Sequence, residues 1–259
     1  MTFSYSEFLQ LAGLYFYPFV RISAMFAIIP IFSSRSVSVK FKLMLTVFIT
    51  LAIAPSLALP PPVDPFTWQG IMFISQQILI GLAMGLIFLV IFQAFVMAGH
   101  MVAMAMGLAF ASMVDPGTGA QSPIVSQYFT IIVTLLFLAL NGHLLVIQVV
   151  VESFEYLPIG TSFLNRESLR LVFEFGSYIF LSGVLIALPA VTALLLVNIA
   201  FGVVTRAAPA LNIFAVGFPI TLLAGLILLS LITPLMLPHL QELIRSALVT
   251  ISQLRLTEA

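Results

Sequence analysis

The sequence predicts an all-α membrane protein, and three observations carry that reading. Of its 259 residues 62% are hydrophobic and 7% charged, where a soluble domain carries about 25% charged residues. The apolar residues gather into six blocks, several of them longer than the ~20 residues that cross a bilayer as helix. Between the blocks lie short segments of Gly, Pro, Ser and a few charges, the residues that stop helices and turn the chain.

Formal net charge is zero and mean hydropathy +1.23. No basic surplus exists to hold nucleic acid. Cysteine is absent, which removes disulfides, thiolate metal sites and a thiol nucleophile.

The first block spans Phe8 to Phe32. Met1 to Gln10 carries Glu7 and no basic residue, and Pro18 and Arg21 interrupt the apolar run, so it is not expected to be a secretory leader. Arg21 lies near the middle. A central Arg costs about 2.5–3.5 kcal/mol on insertion scales, so it is expected to face protein or water and hold a partner, either as a helix-packing ion pair or carbonyl clamp or in contact with a substrate. The segment Ser33–Lys42 follows, with Arg35, Lys40 and Lys42, and by the positive-inside rule it is cytoplasmic.

The second block, Leu43 to Leu59, ends in LPPPVDP, where Pro60, Pro61, Pro62 and Pro65 enforce an extended connection. Trp68 comes next, where an interfacial anchor belongs. The third block, Gly70 to Met106, is too long for one perpendicular span at ~1.5 Å per residue, so a hairpin or a broken helix is open. It contains Gln76, Gln77, Gln93 and His100, and Gly81 with Gly85 forms a small-residue face that allows close helix approach. Met97, Met101, Met104 and Met106 fit either ordinary packing or an adaptable partner surface.

A distinctive island then runs from Gly107 to Gln127, GLAFASMVDPGTGAQSPIVSQ. Unpaired backbone groups cost several kcal/mol in hydrocarbon, so the island must lie outside the bilayer core, be buried in protein or line an aqueous path. Asp115-Pro116-Gly117 predicts a helix stop and a turn. A solvated interhelical loop is one reading, but Leu108, Phe110, Met113 and Ile124 favour a loop packed inside a helical assembly or a pore.

After the island, Tyr128 to Val151 is broken by Asn141-Gly142-His143. His143 reads as a satisfied packing residue or as a group that titrates near neutrality. Glu152 to Arg170 reads as a solvated mixed-charge loop that begins with a Pro158–Gly160 turn. Leu171 to Val204 is again overlong, and Pro189 is expected to kink or end its helix. In TRAAPALNIFAVGFPITLLAGL, Thr205 to Leu226, residues Arg206, Pro209 and Asn212 sit between apolar runs, as a plain turn or a distinctive element. A last block, Ile213 to Leu237, leads through Pro234 and Pro238 to an amphipathic tail with Arg245 and Arg255.

Catalytic apparatus is missing from this pattern. Asp64 and Asp115 are the only aspartates, and they cannot supply the facing carboxylates of an intramembrane aspartyl protease. There is no His-Glu-x-x-His helix, phosphate-binding loop or Gly-x-Ser-x-Gly elbow. No enzyme, cofactor or metal site is expected.

Three stretches together resemble the flagellar biosynthetic protein FliR family: Arg21 in its block, the island with Asn141–His143, and TRAAPALNIFAVGFP. The resemblance covers nearly the whole chain and extends to the counterpart in virulence injectisomes. It implies tilted and broken helical hairpins packed with FliP and FliQ into a helical hetero-oligomeric export gate of type III secretion. Residues 1–170 would then form a FliP-like part and 171–259 a FliQ-like hairpin. It further implies contacts with FlhB and FlhA, unfolded flagellar proteins as cargo, and a place in the flagellar basal body at the bacterial inner membrane. The family's pore plug maps onto Gly107–Pro123, with Gly107, Phe110, Met113, Asp115, Pro116, Gly117, Gly119, Gln121 and Pro123 as its gate residues. Arg21, Asn141, His143, Arg206, Pro209 and Asn212 would be buried polar or assembly positions. A virulence injectisome subunit is the alternative. Another is a self-contained transporter or channel with broken helices at the two distinctive stretches, although no internal repeat is apparent.

Overall fold

In the computed structural model the described residues are 5–34, 37–108, 124–160, 162–207 and 213–257. They confirm an all-α membrane protein. In chain order the helices are α1 (Tyr5–Ile28), α2 (Pro30–Ser33), α3 (Val39–Ile53), α4 (Trp68–Ala105), α5 (Ile124–Ala139), α6 (Gly142–Tyr156), α7 (Arg166–Phe175), α8 (Tyr178–Ala207), α9 (Ile213–Ile232) and α10 (Met236–Ser252). Pairing of β type is confined, among the described residues, to an isolated antiparallel bridge between Leu164 and Leu256. Among the described residues five helical segments are long and apolar enough to cross a membrane, Glu7–Ile28, Val39–Ser56, Trp68–Ala105, Arg166–Val204 and Gly217–Ser252, and the bent pair Ile124–Ala139 with Gly142–Tyr156 would make a sixth if it is one span.

Local chemistry fixes several boundaries. The Ser38 hydroxyl caps α3 by accepting from the Phe41 N–H, and the Asn165 side chain caps α7 by accepting from the Ser168 N–H at 2.7 Å, which satisfies donors a helix start leaves free. The proline-rich connection ends in a turn around Asp64, whose Oδ1 accepts from the Phe66 N–H at 2.9 Å and whose carbonyl accepts from the Thr67 hydroxyl at 2.7 Å. The Tyr5 hydroxyl donates to Asp64 Oδ2 at 3.2 Å. The Asp64 charge, followed by this hydrogen bond, holds the Tyr5 phenol above its ordinary pKa. Trp68 opens α4 and is 73% exposed, as an interfacial residue should be.

Four expectations are corrected. The third block is one continuous helix of 38 residues, because its glycines serve packing and leave the backbone ladder intact. The later long block divides between Phe175 and Tyr178, and Pro189 lies inside α8 without ending it. The mixed-charge segment is helical over much of its length: Glu152 and Glu155 belong to α6, and Arg166 to Arg170 open α7. Arg206 occupies the last turn of α8, where a cation complements the helix dipole.

The chain divides into two compact units, one comprising residues 1–89, 141–176 and 245–259 and the other residues 90–140 and 177–244. In the first unit α1 and the start of α4 pack side by side. Tyr17 meets Phe73 with ring centroids 5.6 Å apart, Arg21 meets Gln77, and Met25 and Ile28 meet Gly85. The pairs advance together in sequence, so the two helices run parallel. A Cβ at Gly81 would collide with the Arg21 carbonyl oxygen and lie 2.9 Å from Ala24 Cβ; one at Gly85 would lie 3.1 Å from the Met25 carbonyl oxygen. The small-residue face is therefore an internal helix contact. The C-terminal tail is clasped to the same unit: Ser168 Oγ accepts from the Arg255 N–H at 2.7 Å and donates to the Arg255 carbonyl at 3.0 Å, and the Thr257 N–H donates to the Phe163 carbonyl at 2.7 Å.

In the second unit the rest of α4 packs against α5, where a Cβ at Gly99 would lie 2.5 Å from Ser126 Cα. The Ser126 hydroxyl donates back to the Val96 carbonyl at 3.2 Å, and Phe92 and Phe137 pack with centroids 5.3 Å apart. Met97 fills the space over Gly183 and Met106 that over Gly225, so these two methionines serve packing, while Met104 is 59% exposed.

Replacement of Gly81 by Ala should destabilise the α1–α4 contact by about 1–3 kcal/mol, since backbone is what the new methyl meets. Gly202→Ala, at a helical position with open space around it, should instead be neutral or stabilising by up to ~1 kcal/mol. Thermal unfolding in detergent, followed by size-exclusion chromatography, measures both.

Candidate functional site

The first unit is built around a charge. Arg21 on α1 is 0% exposed and is the largest fully buried side chain. Its Nε donates to Gln77 Oε1 at 2.7 Å, its Nη1 to Ser153 Oγ at 3.0 Å and its Nη2 to the Leu157 carbonyl at 2.7 Å. The Phe154 ring covers the guanidinium, with Cζ 3.9 Å from the ring centroid. Three elements meet here: α1 brings the charge, α4 the amide, and α6 with the residue after it the hydroxyl, the ring and the carbonyl.

The network continues beyond Arg21. Gln77 Nε2 donates to Gln76 Oε1 at 2.7 Å, and that oxygen also accepts from the Gly160 N–H at 3.0 Å. Gln76 Nε2 donates to the carbonyls of Ser162 at 2.6 Å and Pro158 at 3.2 Å. The Ser153 hydroxyl donates its own hydrogen bond to the Val150 carbonyl at 2.6 Å. The Pro158–Gly160 segment, expected to be solvated, is thus pinned by a buried glutamine. The carbonyls of Leu157, Pro158 and Ser162 are the backbone acceptors that the buried cation and the Gln76 amide require.

No carboxylate lies within ion-pair distance of Arg21 among the described residues; the ion pair there is Arg170–Glu174 on α7. Burying one ion costs several kcal/mol. Hydrogen bonds to a charged group contribute about 1.5–3 kcal/mol each and a desolvated cation–π contact about 2 kcal/mol, so three bonds and one ring are of the size needed. Of the readings open for Arg21, the structure gives a clamp of carbonyl, amide and hydroxyl. Full burial removes contact with a passing substrate.

Other buried polar atoms lack a partner among the described residues: Tyr17 Oη, Ser23 Oγ and His143 Nδ1. For His143 the expectation of a satisfied packing residue is therefore not met at that nitrogen. Asn141 adopts the left-handed conformation, φ 57°, and its carbonyl accepts from the N–H groups of Leu144 and Leu145 at 2.9 and 3.1 Å as α6 begins. Asn141 and Arg206 are exposed within this chain.

The island begins at a formed helix stop. Gly107 has φ +80°, its N–H donates to the Met104 carbonyl at 3.0 Å and the Leu108 N–H donates to the Ala103 carbonyl at 3.0 Å, the paired bonds of a Schellman motif. Leu108 and, past the island, Ile124 and Val125 line an apolar cavity of about 430 Å3 with Tyr128, Leu222 and Leu226. Phe110, Met113, Asp115, Pro116, Gly117, Gly119, Gln121 and Pro123 lie outside the described residues, as do Pro209 and Asn212. Gln76, Gln77, Ser153 and the carbonyls after α6 were not assigned from sequence. Two adjacent glutamines inside an apolar block were the available signal, since buried amides demand partners. No group of three or more metal-ligating residues occurs among the described residues.

Residues 12–247 match the family described as bacterial export proteins, family 1. The chain is 41% identical over 237 residues to flagellar biosynthetic protein FliR of Escherichia coli (strain K12), covering 92% of this chain and 90% of that one. It is 38% identical over 244 residues to FliR of Pectobacterium carotovorum subsp. carotovorum, covering 94% and 93%. With FliR of Bacillus subtilis (strain 168) it shares 30% over 214 residues, 82% of each chain.

Removal of the charge in Arg21→Leu should destabilise the first unit by about 3–5 kcal/mol, because Gln77, Ser153 and the Leu157 carbonyl lose their donors together. In a double-mutant cycle with Gln77→Leu the two losses should couple by about 0.5–3 kcal/mol, as members of one network do. Detergent unfolding of the four proteins reads this directly; additive losses would show that Arg21 and Gln77 act separately.

Proposed function

Because this chain belongs to the bacterial export proteins, family 1, we propose that it is a non-enzymatic subunit of the flagellar type III secretion export gate. In this reading it forms, with FliP and FliQ, the pore through which unfolded flagellar proteins leave the cell. The observation that carries the proposal is the 41% identity to a FliR across 92% of the chain. The relatives named FliR favour the flagellar apparatus over the injectisome. The helices that could cross a membrane suit a place in the bacterial inner membrane at the flagellar basal body. Driving energy comes from elsewhere, since the sequence carries no phosphate-binding loop.

Within that assembly residues 1–170 would play a FliP-like and 171–259 a FliQ-like part. Exposed Asn141 and Arg206, with Pro209 and Asn212, would pack against neighbouring subunits or FlhB, and FlhA would adjoin the assembly. The island Gly107–Pro123 would plug the closed pore. Phe110 and Met113 have the apolar bulk to seal a lumen. Gly117 and Gly119 give the backbone freedom to move aside, and the mainly small side chains would hold a passing chain weakly, as conduction requires. The helix stop at Gly107 supports this reading, because it ends α4 where the island must begin.

Coexpression with FliP and FliQ, purification in mild detergent and native mass spectrometry test the assembly. A defined hetero-oligomer containing one copy of this chain is expected, and a monomer or homodimer that ignores both partners would overturn the proposal. Deletion of Phe110–Gly119 should leave that complex intact and make the membrane leaky to small ions, read by ion flux in cells. Normal assembly with an intact permeability barrier would remove the plug role while leaving the subunit role standing.

A further inference from the structure

We propose that Asn198 and the Tyr128–Thr233 pair are positioning residues for the island, holding its two ends against the hairpin of α8 and α9. The last turn of α4 leads into the island and α5 leads out of it. Three side-chain hydrogen bonds of the second unit, spanning 30, 93 and 105 residues of sequence, lie at these two ends. One ties the ends to each other, since Ser126 Oγ donates to the Val96 carbonyl where Gly99 lets the α5 backbone come close. The other two tie each end to the hairpin. Asn198, exposed on α8, donates from Nδ2 to the Ala105 carbonyl at 3.3 Å. That carbonyl ends α4 and has no partner within the helix, and the bonds from Gly107 and Leu108 go instead to Met104 and Ala103. At the other end Tyr128 Oη lies 2.8 Å from Thr233 Oγ1, just past α9. Thr233 gives its one hydrogen to the Leu229 carbonyl at 2.7 Å, so Tyr128 is the donor of the pair.

Apolar contacts repeat the arrangement. Met106 packs over Gly225 of α9, and a Cβ at Gly107 would lie 3.7 Å from the ring of Phe218, also on α9. Leu108 from one end and Ile124 and Val125 from the other share the cavity whose far wall is Leu222 and Leu226. The hairpin is itself a packed pair, α8 against α9. Both ends of the island thus bear on one support, and a movement of that support reaches both at once. Loss of any of the three side chains loosens one end without touching the island. The inference rests on the reading of the island as a pore plug, and the test separates the two.

The test uses the full chain in its complex with FliP and FliQ, with Asn198→Leu, Tyr128→Phe, Thr233→Val and Thr233→Ser compared. Native mass spectrometry should show the same composition for all four. Amide hydrogen exchange should quicken roughly fivefold, the equilibrium worth of one hydrogen bond, in the last turn of α4 for Asn198→Leu and in the first turns of α5 for Tyr128→Phe and Thr233→Val. Thr233→Ser, which keeps the hydroxyl, should exchange as the wild type does, showing that the change is not one of folding. In cells the first three variants should leak small ions more slowly than the Phe110–Gly119 deletion, and Asn198→Leu combined with Tyr128→Phe should leak faster than either alone. Unchanged exchange at both ends would overturn the inference whatever the island does. Faster exchange with a tight membrane, in cells where the deletion leaks, would also overturn it and leave the plug reading standing. A deletion that does not leak removes the plug, and the positioning role falls with it.

Discussion

The burial of one guanidinium without a carboxylate constrains the rest of the first unit. Arg21 can be held inside only if acceptors converge on it from every side, and α1 cannot provide them, because the carbonyls of its own backbone are engaged in the helix ladder. They come from α4, α6 and the connection after α6, at sequence separations of 56, 132 and 136 residues. Until those elements meet, the charge has no satisfied position inside the protein. One residue thereby ties the first third of the chain to its middle.

The same contact is tightened by the absence of side chains. Along α4, Gln77, Gly81 and Gly85 recur every four residues and so share one face. The amide takes the Arg21 side chain, and one turn later a glycine admits the Arg21 backbone. Neither substitutes for the other: the hydrogen bond needs a particular distance between the helices, and the glycine makes that distance attainable. Parallel packing of α1 and α4 then requires the chain between them to return, which α3 and the proline-rich connection do.

The sequence made the helical, membrane-type character legible, together with the small-residue face, the need of Arg21 for a partner and the break at Asn141. It did not reveal the partners themselves. Gln77 and Ser153 have no pattern that links them to Arg21, and the Leu157, Pro158 and Ser162 carbonyls belong to backbone, which residue types do not report. The stretch from Glu152 to Arg170 looked solvated because its side chains are charged. Its charges do face outward, with Arg170 and Glu174 pairing on an exposed helix face, while the carbonyls between the two helices turn inward to the buried network. The mismatch arises from reading side chains where the backbone makes the contacts. The family was legible for a different reason, since the island and the Arg206–Asn212 stretch are specific in type and spacing where apolar blocks are not.

What remains outside is as instructive as what is inside. On α8, Phe180, Leu181, Leu188, Leu195, Leu196, Ile199 and Val203 are each more than half exposed, a surface that an isolated protein in water does not keep. In lipid or against neighbouring helices such a surface costs nothing. By the same reasoning, burying more of it would gain little, because lipid tails are as apolar as leucine and the hydrophobic effect does not drive helices together there. The terms left to select one arrangement of these helices are close packing and polar satisfaction. Both are concentrated in this chain where glycines let backbones touch and where buried glutamines and Arg21 find their acceptors, so the few polar residues of an apolar sequence determine which of its helices become neighbours.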